Sequence, residues 1–498
     1  MFMPGEEKMK KISVSSISYH LSTNRLSANH LPANLLSTKI LIIITIIFLI
    51  ILVNLTRPQN GYADYPDMDM TATPNPVGSG ARAMGMGGAF IGVADDATAA
   101  SWNPAGLLQL TKPELSMAGS YFSGENSYDT SRVEGDIEDH SPYITHLNYA
   151  SAVIPFQLFN RNILFSLNYQ HLYEFSLDIS KTWRETEEGS SIDKRHRDEK
   201  RQRGSLCTLS PALAFEPSRF LFLGMTCNFW DNRILDNGWE NINIQYAEGM
   251  EQRDERVVTK SAIYEKYDFS GFNMNFGFLA KSDLFTLWGK KRQVQIGGVF
   301  KTPFKADIRH EKQEKWYEEF PDDPASNRYY DRISHHNFTL KMPLSYGLGV
   351  CFKFSDSVAM SLDAYRTQWD QYVFIDSSGK EWSPINKKAK DEANIKATTQ
   401  IRWGGEYKLM KSKYDVPIRI GAFYDPEPAS DRPDTVYGVS CGTGFTYRGA
   451  SGKDLFSCDL MYQFRLGEKR NAESMDGEAI VSRVRQHYFS TSIICYLF

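Results

Sequence analysis

The sequence predicts an all-β fold: a transmembrane antiparallel β-barrel of about fourteen strands, with an N-terminal plug (hatch) inside its bore. Three observations lead there. From Glu114 onward, apolar residues recur with a period of two. The links between these runs alternate, long and charged, then short. Ahead of them lies Gly78–Leu110, GSGARAMGMGGAFIGVADDATAASWNPAGLLQL, which has neither a strand period nor a helical face.

The bulk properties are compatible with this. A chain of 498 residues suits two or three soluble domains or one large barrel with its appendages. The net charge of −4 gives no global pointer to nucleic acid. A mean hydropathy of −0.41 excludes a multi-helix membrane protein, but not a barrel whose strands are apolar on one face. The six cysteines are scattered without a CxxC, so neither a zinc site nor a small disulfide scaffold is indicated. No cofactor is expected.

Residues 1–63 read as a signal peptide. Ile40–Leu55 is the only long apolar run, preceded by Lys39 and followed by Gly61-Tyr62-Ala63, a small-x-small cleavage site. The leader before Lys39 is long, and a later start such as Met9 would shorten it; an uncleaved anchor helix is the alternative. Residues 64–112 form a polar arm and then the plug. Small apolar residues, with almost no charge beyond Arg82 and Asp95-Asp96, argue that the plug is folded.

Residues 113–498 are the barrel. Over Ile163–Ser180 the odd positions are greasy and the even ones mostly polar, which reads as one very long strand. Phe272, Met274, Phe276 and Phe278 alternate with Gly and Asn, and Leu344–Phe354 repeats the pattern. Expected long links include Lys181–Gly204, Asp231–Lys266, Arg309–His336 and Gly467–Arg483; expected short ones include Gln157–Arg161, Glu216–Ser218 and Ser355–Ser357. Long outer loops and short periplasmic turns mark bacterial outer-membrane barrels. The last strand ends on the aromatic Phe498, which fits pairing with the first strand and reading by the outer-membrane assembly machinery.

Several motifs, in order, resemble the FadL/TodX family of outer-membrane transporters for long-chain fatty acids and hydrocarbons. They are Asp95-Asp96-Ala97 with Asn103-Pro104-Ala105-Gly106 and Lys112–Ser116, then Lys301-Thr302-Pro303-Phe304. Met342–Ser345 with Thr367-Gln368-Trp369-Asp370, and Val416–Arg419 with Tyr424–Pro428, complete the set. The resemblance implies a monomer in the bacterial outer membrane and passive uptake of a fatty acid-like hydrophobic molecule. Outer loops would capture it, a pocket in the bore would hold it, and the plug would move. The plug sequence Gly80–Phe90 is closer to the shuttle barrels of type IX secretion. The alternative is therefore a protein-handling barrel that grips a partner polypeptide.

Ligand candidates follow from residue chemistry. In the plug, Met84, Met86, Phe90, Ile91, Val93 and Trp102 suit an unbranched acyl chain, and equally suit gluing plug to wall. On an outer loop, Trp316, Tyr317 and Phe320 suit an apolar capture patch, or the packing of the loop on itself. Asn103, Pro104 and Ala105 form a tight turn that could hinge the plug. Asp95-Asp96 needs a basic wall partner, with Arg402 and Arg419 as candidates by strand position. The basic run Lys194–Arg203 suits lipopolysaccharide phosphates or a solvated loop.

No enzyme is expected. Gly438-Val439-Ser440-Cys441-Gly442 matches G-x-S-x-G but lies inside a strand, not a strand–turn–helix elbow. His335-His336 is not a metal site on spacing alone. Cys207 with Cys227 and Cys441 with Cys458 are centred on predicted turns, leaving disulfides or free thiols open, with free thiols favoured.

Overall fold

The computed structural model describes residues 78–128, 136–139, 143–186, 193–250, 256–287, 290–473 and 479–497. The expected leader over 1–63, the arm over 64–77 and the terminal Phe498 lie outside the described residues.

Fourteen strands close into an antiparallel barrel. They are β1 (Glu114–Tyr128), β2 (Ile144–Leu158), β3 (Arg161–Glu174), β4 (Asp193–Ser218), β5 (Leu221–Trp230), β6 (Arg256–Lys281) and β7 (Lys290–Lys301). The second half is β8 (Ser345–Ser355), β9 (Val358–Thr367), β10 (Thr398–Met410), β11 (Tyr414–Tyr424), β12 (Thr435–Arg448), β13 (Asp454–Glu473) and β14 (Ala479–Tyr496). Closure is made by β14 against β1, from Glu114 opposite Tyr496 to Tyr128 opposite Ser482. Beyond the ladder, Leu497 N donates to Pro113 O at 2.8 Å.

The period of two has its physical cause in the two faces of this wall. On β8, Tyr346, Leu348 and Val350 are exposed, while Ser345, Gly347, Gly349 and Cys351 are buried toward the bore. Phe272, Phe276 and Phe278 on β6 are likewise exposed. An exposed apolar belt of this extent is stable only against lipid.

Two expectations need correction. Ile163–Ser180 is not one strand. The β3–β4 ladder shifts register between His171 and Tyr173, β3 ends at Glu174, and Leu177–Thr186 is a separate strand. The apolar parity faces outward only through Leu167; Tyr169, Phe175 and Leu177 are buried. Several expected long loops are also sheet. Leu177–Thr186, the first part of β4, Gly238–Met250, the first part of β6, Phe304–Glu319 and Arg328–Met342 hydrogen-bond in that order. This outer sheet continues the wall beyond the barrel, at the end opposite the short turns. Here water bathes the strands, so the apolar contrast between faces fades and hydropathy alone reads them as loops.

All six cysteines are free. In register, Cys441 stands opposite Tyr462 and Cys458 opposite Phe445, which removes the disulfide alternative for that pair.

The plug fills the bore with short elements: α1 (Ala81–Gly85), α2 (Ala99–Trp102) and a 3-10 turn at Pro104–Gln109. Gly87 and Gly88 have φ of 67° and 75°, which admits the tight turn between α1 and Phe90. The wall meets it with glycines. A Cβ on Gly421 would sit 2.1 Å from Gly87 N, and one on Gly349 2.6 Å from Gly92 N, so plug backbone lies directly on wall backbone. A second apolar cluster, including Trp230, Trp239, Tyr267, Phe269, Leu340 and Phe374, joins the barrel mouth to the outer sheet.

Candidate functional site

The bore holds the plug at one level and a cavity on either side of it. At the plug, one cation organises the charges. Arg82 on α1 contacts Asp95 at 2.6 Å, Asp96 at 3.6 Å and Glu406 of β10 at 3.0 Å. Glu406 continues to Arg419 of β11 at 2.6 Å, and Arg419 to Asp459 of β13 at 2.7 Å. Lys353 of β8 reaches Asp95 at 3.4 Å. The expected basic partner of Asp95-Asp96 is thus Arg82 within the plug, joined at Asp95 by Lys353, and not Arg402 or Arg419. Arg402 instead faces Asp425 at 3.3 Å and donates to Gly87 O at 3.3 Å. Period-two reading gave both arginines the correct inward face but could not fix their height in the bore.

Neutral hydrogen bonds complete the seat. Ile91 N donates to Asp363 of β9 at 2.7 Å. Ser440 Oγ accepts from Gly87 N at 2.9 Å and donates to Gly85 O at 3.1 Å, so the G-x-S-x-G serine fastens the plug. Asn103 Nδ2 donates to Ile91 O at 3.0 Å and to Phe278 O of β6 at 2.8 Å, while its Oδ1 accepts from Ala105 N at 3.2 Å. Asn103, Pro104 and Ala105 therefore form a turn tied to the wall, and a hinge there would have to break the Phe278 bond.

Met84, Met86, Phe90, Ile91, Val93 and Trp102 are all buried in one cluster with the wall. Phe90 and Trp102 meet edge-to-face with centroids 6.0 Å apart. Fully burying each such side chain stabilises by about 1.5–3 kcal/mol.

Two cavities flank this level. Toward the outer sheet, a cavity of about 60 Å³ is lined by Tyr173, Trp230, Phe304 and Trp369 together with Asn228, Asn275 and Lys301. Lys301 Nζ lies 5.7 Å from the Tyr365 ring centroid. A drug-sized ligand needs ~300–1,000 Å³, so a larger guest would have to move its walls. Toward the short turns, a cavity of about 630 Å³ is edged by Met86 and Val93 of the plug and by Arg292, Lys353, Asp356 and Lys408. None of the six plug candidates lines the outer cavity. Its lining was missed because aromatics and asparagines on alternate parity carry no sequence mark of their height.

Trp316 and Tyr317 stand on the outermost hairpin and Phe320 at its tip. Trp316 stacks on Tyr330 at 6.0 Å and Tyr317 meets Tyr329 edge-on at 5.5 Å, yet Tyr317, Tyr329, Tyr330 and Ile333 remain exposed. The basic run lies on the outer part of β4, where Glu199 contacts Arg197 and Arg201, and Asp178 contacts Arg203.

No protein-family model matches the sequence, and no curated protein matches it either. Solved structures do resemble the chain. A Pseudomonas aeruginosa FadL homologue is 13% identical with a TM-score of 0.54, over 88% of this chain and 100% of that one. The fold is that of the FadL/TodX barrels. The P. putida toluene transporter TodX has this FadL-type fold too, at 12% identity and a TM-score of 0.50, over 84% and 99% of the two chains. At these identities the FadL/TodX likeness fixes the fold: fourteen strands around a plug.

Proposed function

We propose that this FadL-type barrel carries long-chain fatty acids or similar hydrophobic molecules passively across the bacterial outer membrane. The observation that carries the reading is the outer cavity. Its lining combines the rings of Tyr173, Trp230, Phe304 and Trp369 with the polar side chains of Lys301, Asn228 and Asn275. That pairing suits an apolar chain with an anionic head. Exposed aromatics on the Trp316–Tyr330 hairpin supply the first contact. The guest enlarges the cavity by displacing its ring walls, and release follows plug movement. Among the described residues the Ser440 hydroxyl serves the plug seat, where it holds two plug backbone groups.

Native mass spectrometry of the mature protein in mild detergent tests this. A bound mass matching fatty acids is expected. Lys301→Met should lower its occupancy about tenfold, the loss of one charge-assisted contact. A co-purifying polypeptide with no small ligand would sink the uptake reading and favour protein handling.

A further inference from the structure

A second cluster in the barrel wall has no part in the uptake reading. His146 on β2, with His171 and Glu174 on β3, each bring a metal-ligating atom within 4.8 Å of the other two. The imidazoles lie with centroids 4.0 Å apart and planes at 23°, so one ring turns out of the stack when both nitrogens face one ion. Glu174 Oε2 lies 3.3 Å from His171 Nε2.

Three observations point to a missing ligand. The buried His146 Nδ1 has no hydrogen bond, and the Nε2 of His171, a residue only 6% exposed, faces the Glu174 carboxylate at 3.3 Å without a well-formed hydrogen bond. A buried nitrogen left without a partner, as His146 Nδ1 is, is costly unless something fills the space beside it. The far sides of two ligands are held. Ser120 Oγ is 3.0 Å from His146 Nε2, and Ser176 bonds Glu174 Oε1 through both its Oγ and, at 3.2 Å, its N. Metal ligands are oriented in this way from behind. Finally, the register shift between His171 and Tyr173 breaks the alternation of β3 just where His171 is needed. Bulges recur where a side chain must be re-aimed.

We propose that His146, His171 and Glu174 bind a divalent transition metal ion of the zinc class, tying β2 to β3 near the outer end of the barrel. Two imidazoles and one carboxylate suit zinc, cobalt or nickel, and not the all-oxygen preference of calcium or magnesium. Three protein donors leave a coordination position open.

The test uses the full mature protein, purified in detergent and stripped with a chelator, then titrated with Co(II) and followed by visible absorption. One equivalent should bind with a new ligand-field band, and Zn(II) should displace it. His171→Asn and Glu174→Gln should each weaken binding by about tenfold or more. Heat-modifiable gel mobility checks that each variant is folded. A double His335→Asn/His336→Asn variant should bind as the parent does. Absence of binding in the parent would overturn the assignment. So would unchanged affinity in folded His171→Asn and Glu174→Gln, or loss confined to the His335/His336 variant.

Discussion

Arg82 is one guanidinium serving three carboxylates, and all three lose their shared partner if it goes. Its side chain is mostly buried, as is that of Glu406. Removing one member of a buried ion network typically costs about 3–5 kcal/mol, because uncompensated charge stays behind. Arg82→Ala should therefore loosen the plug, seen as faster protease cleavage between Gly78 and Leu110 while the barrel stays resistant. Adding Asp96→Asn should restore part of the loss, since Asp96 meets no second cation among the described ion pairs and the neutral amide needs none. If the double variant is cut faster than Arg82→Ala alone, the network account fails. Gly421→Val tests the backbone contact: a side chain there meets Gly87 N, so the barrel should form but its plug should be protease-sensitive. At this scale the sequence was half legible. Asp95-Asp96 demanded a cation, and Arg82 was visible thirteen residues upstream. What hid the pairing is that α1 and the following turns fold the plug back on itself, a reversal with no periodic signal.

The elements divide by solvent. In the lipid zone, alternation is enforced by two unlike media, and β6 and β8 could be read from residue types alone. In the outer sheet both faces meet water or each other, so Phe304–Glu319 and Arg328–Met342 carry charges on both parities and resemble loop. Their identity comes from pairing, Phe304–Glu319 with β6 and Arg328–Met342 with Phe304–Glu319, the former a long-range contact that composition does not encode. The sheet's far edge has its own electrostatic latch. Hydrogen bonds from Lys341 and Lys390 hold the Glu381 carboxyl at about 2, below the ordinary glutamate range. Because this pKa is depressed on folding, the stabilisation is present above the unfolded value and is lost as pH falls through about 2. Hydrogen exchange at Val373–Trp382, corrected for intrinsic rate, should be flat from pH 8 to pH 5 and rise in stronger acid. Glu381→Gln should abolish that pH dependence; an unchanged acid response in the variant would assign the effect elsewhere.

For the whole molecule, barrel and plug are separable in principle. Glu406, Arg419 and Asp459 pair among themselves on the wall, so the wall retains charge partners without Arg82. A chain lacking residues 78–110 should still close β14 on β1 and show heat-modifiable mobility, but conduct ions in planar bilayers, where the intact protein should be nearly silent. Equal conductance of the two would mean that the plug does not seal the bore. The wall anchors Lys353, Asp363, Arg402, Glu406 and Ser440 also stand 258 to 353 residues beyond their plug partners. Sequence distance of that order becomes waiting time during biogenesis. The plug is small and apolar, is made before the whole barrel, and cannot complete its seat until β8 to β12 have been made. Until then its apolar side chains lack the wall that buries them, which makes an unshielded segment of this kind prone to aggregate.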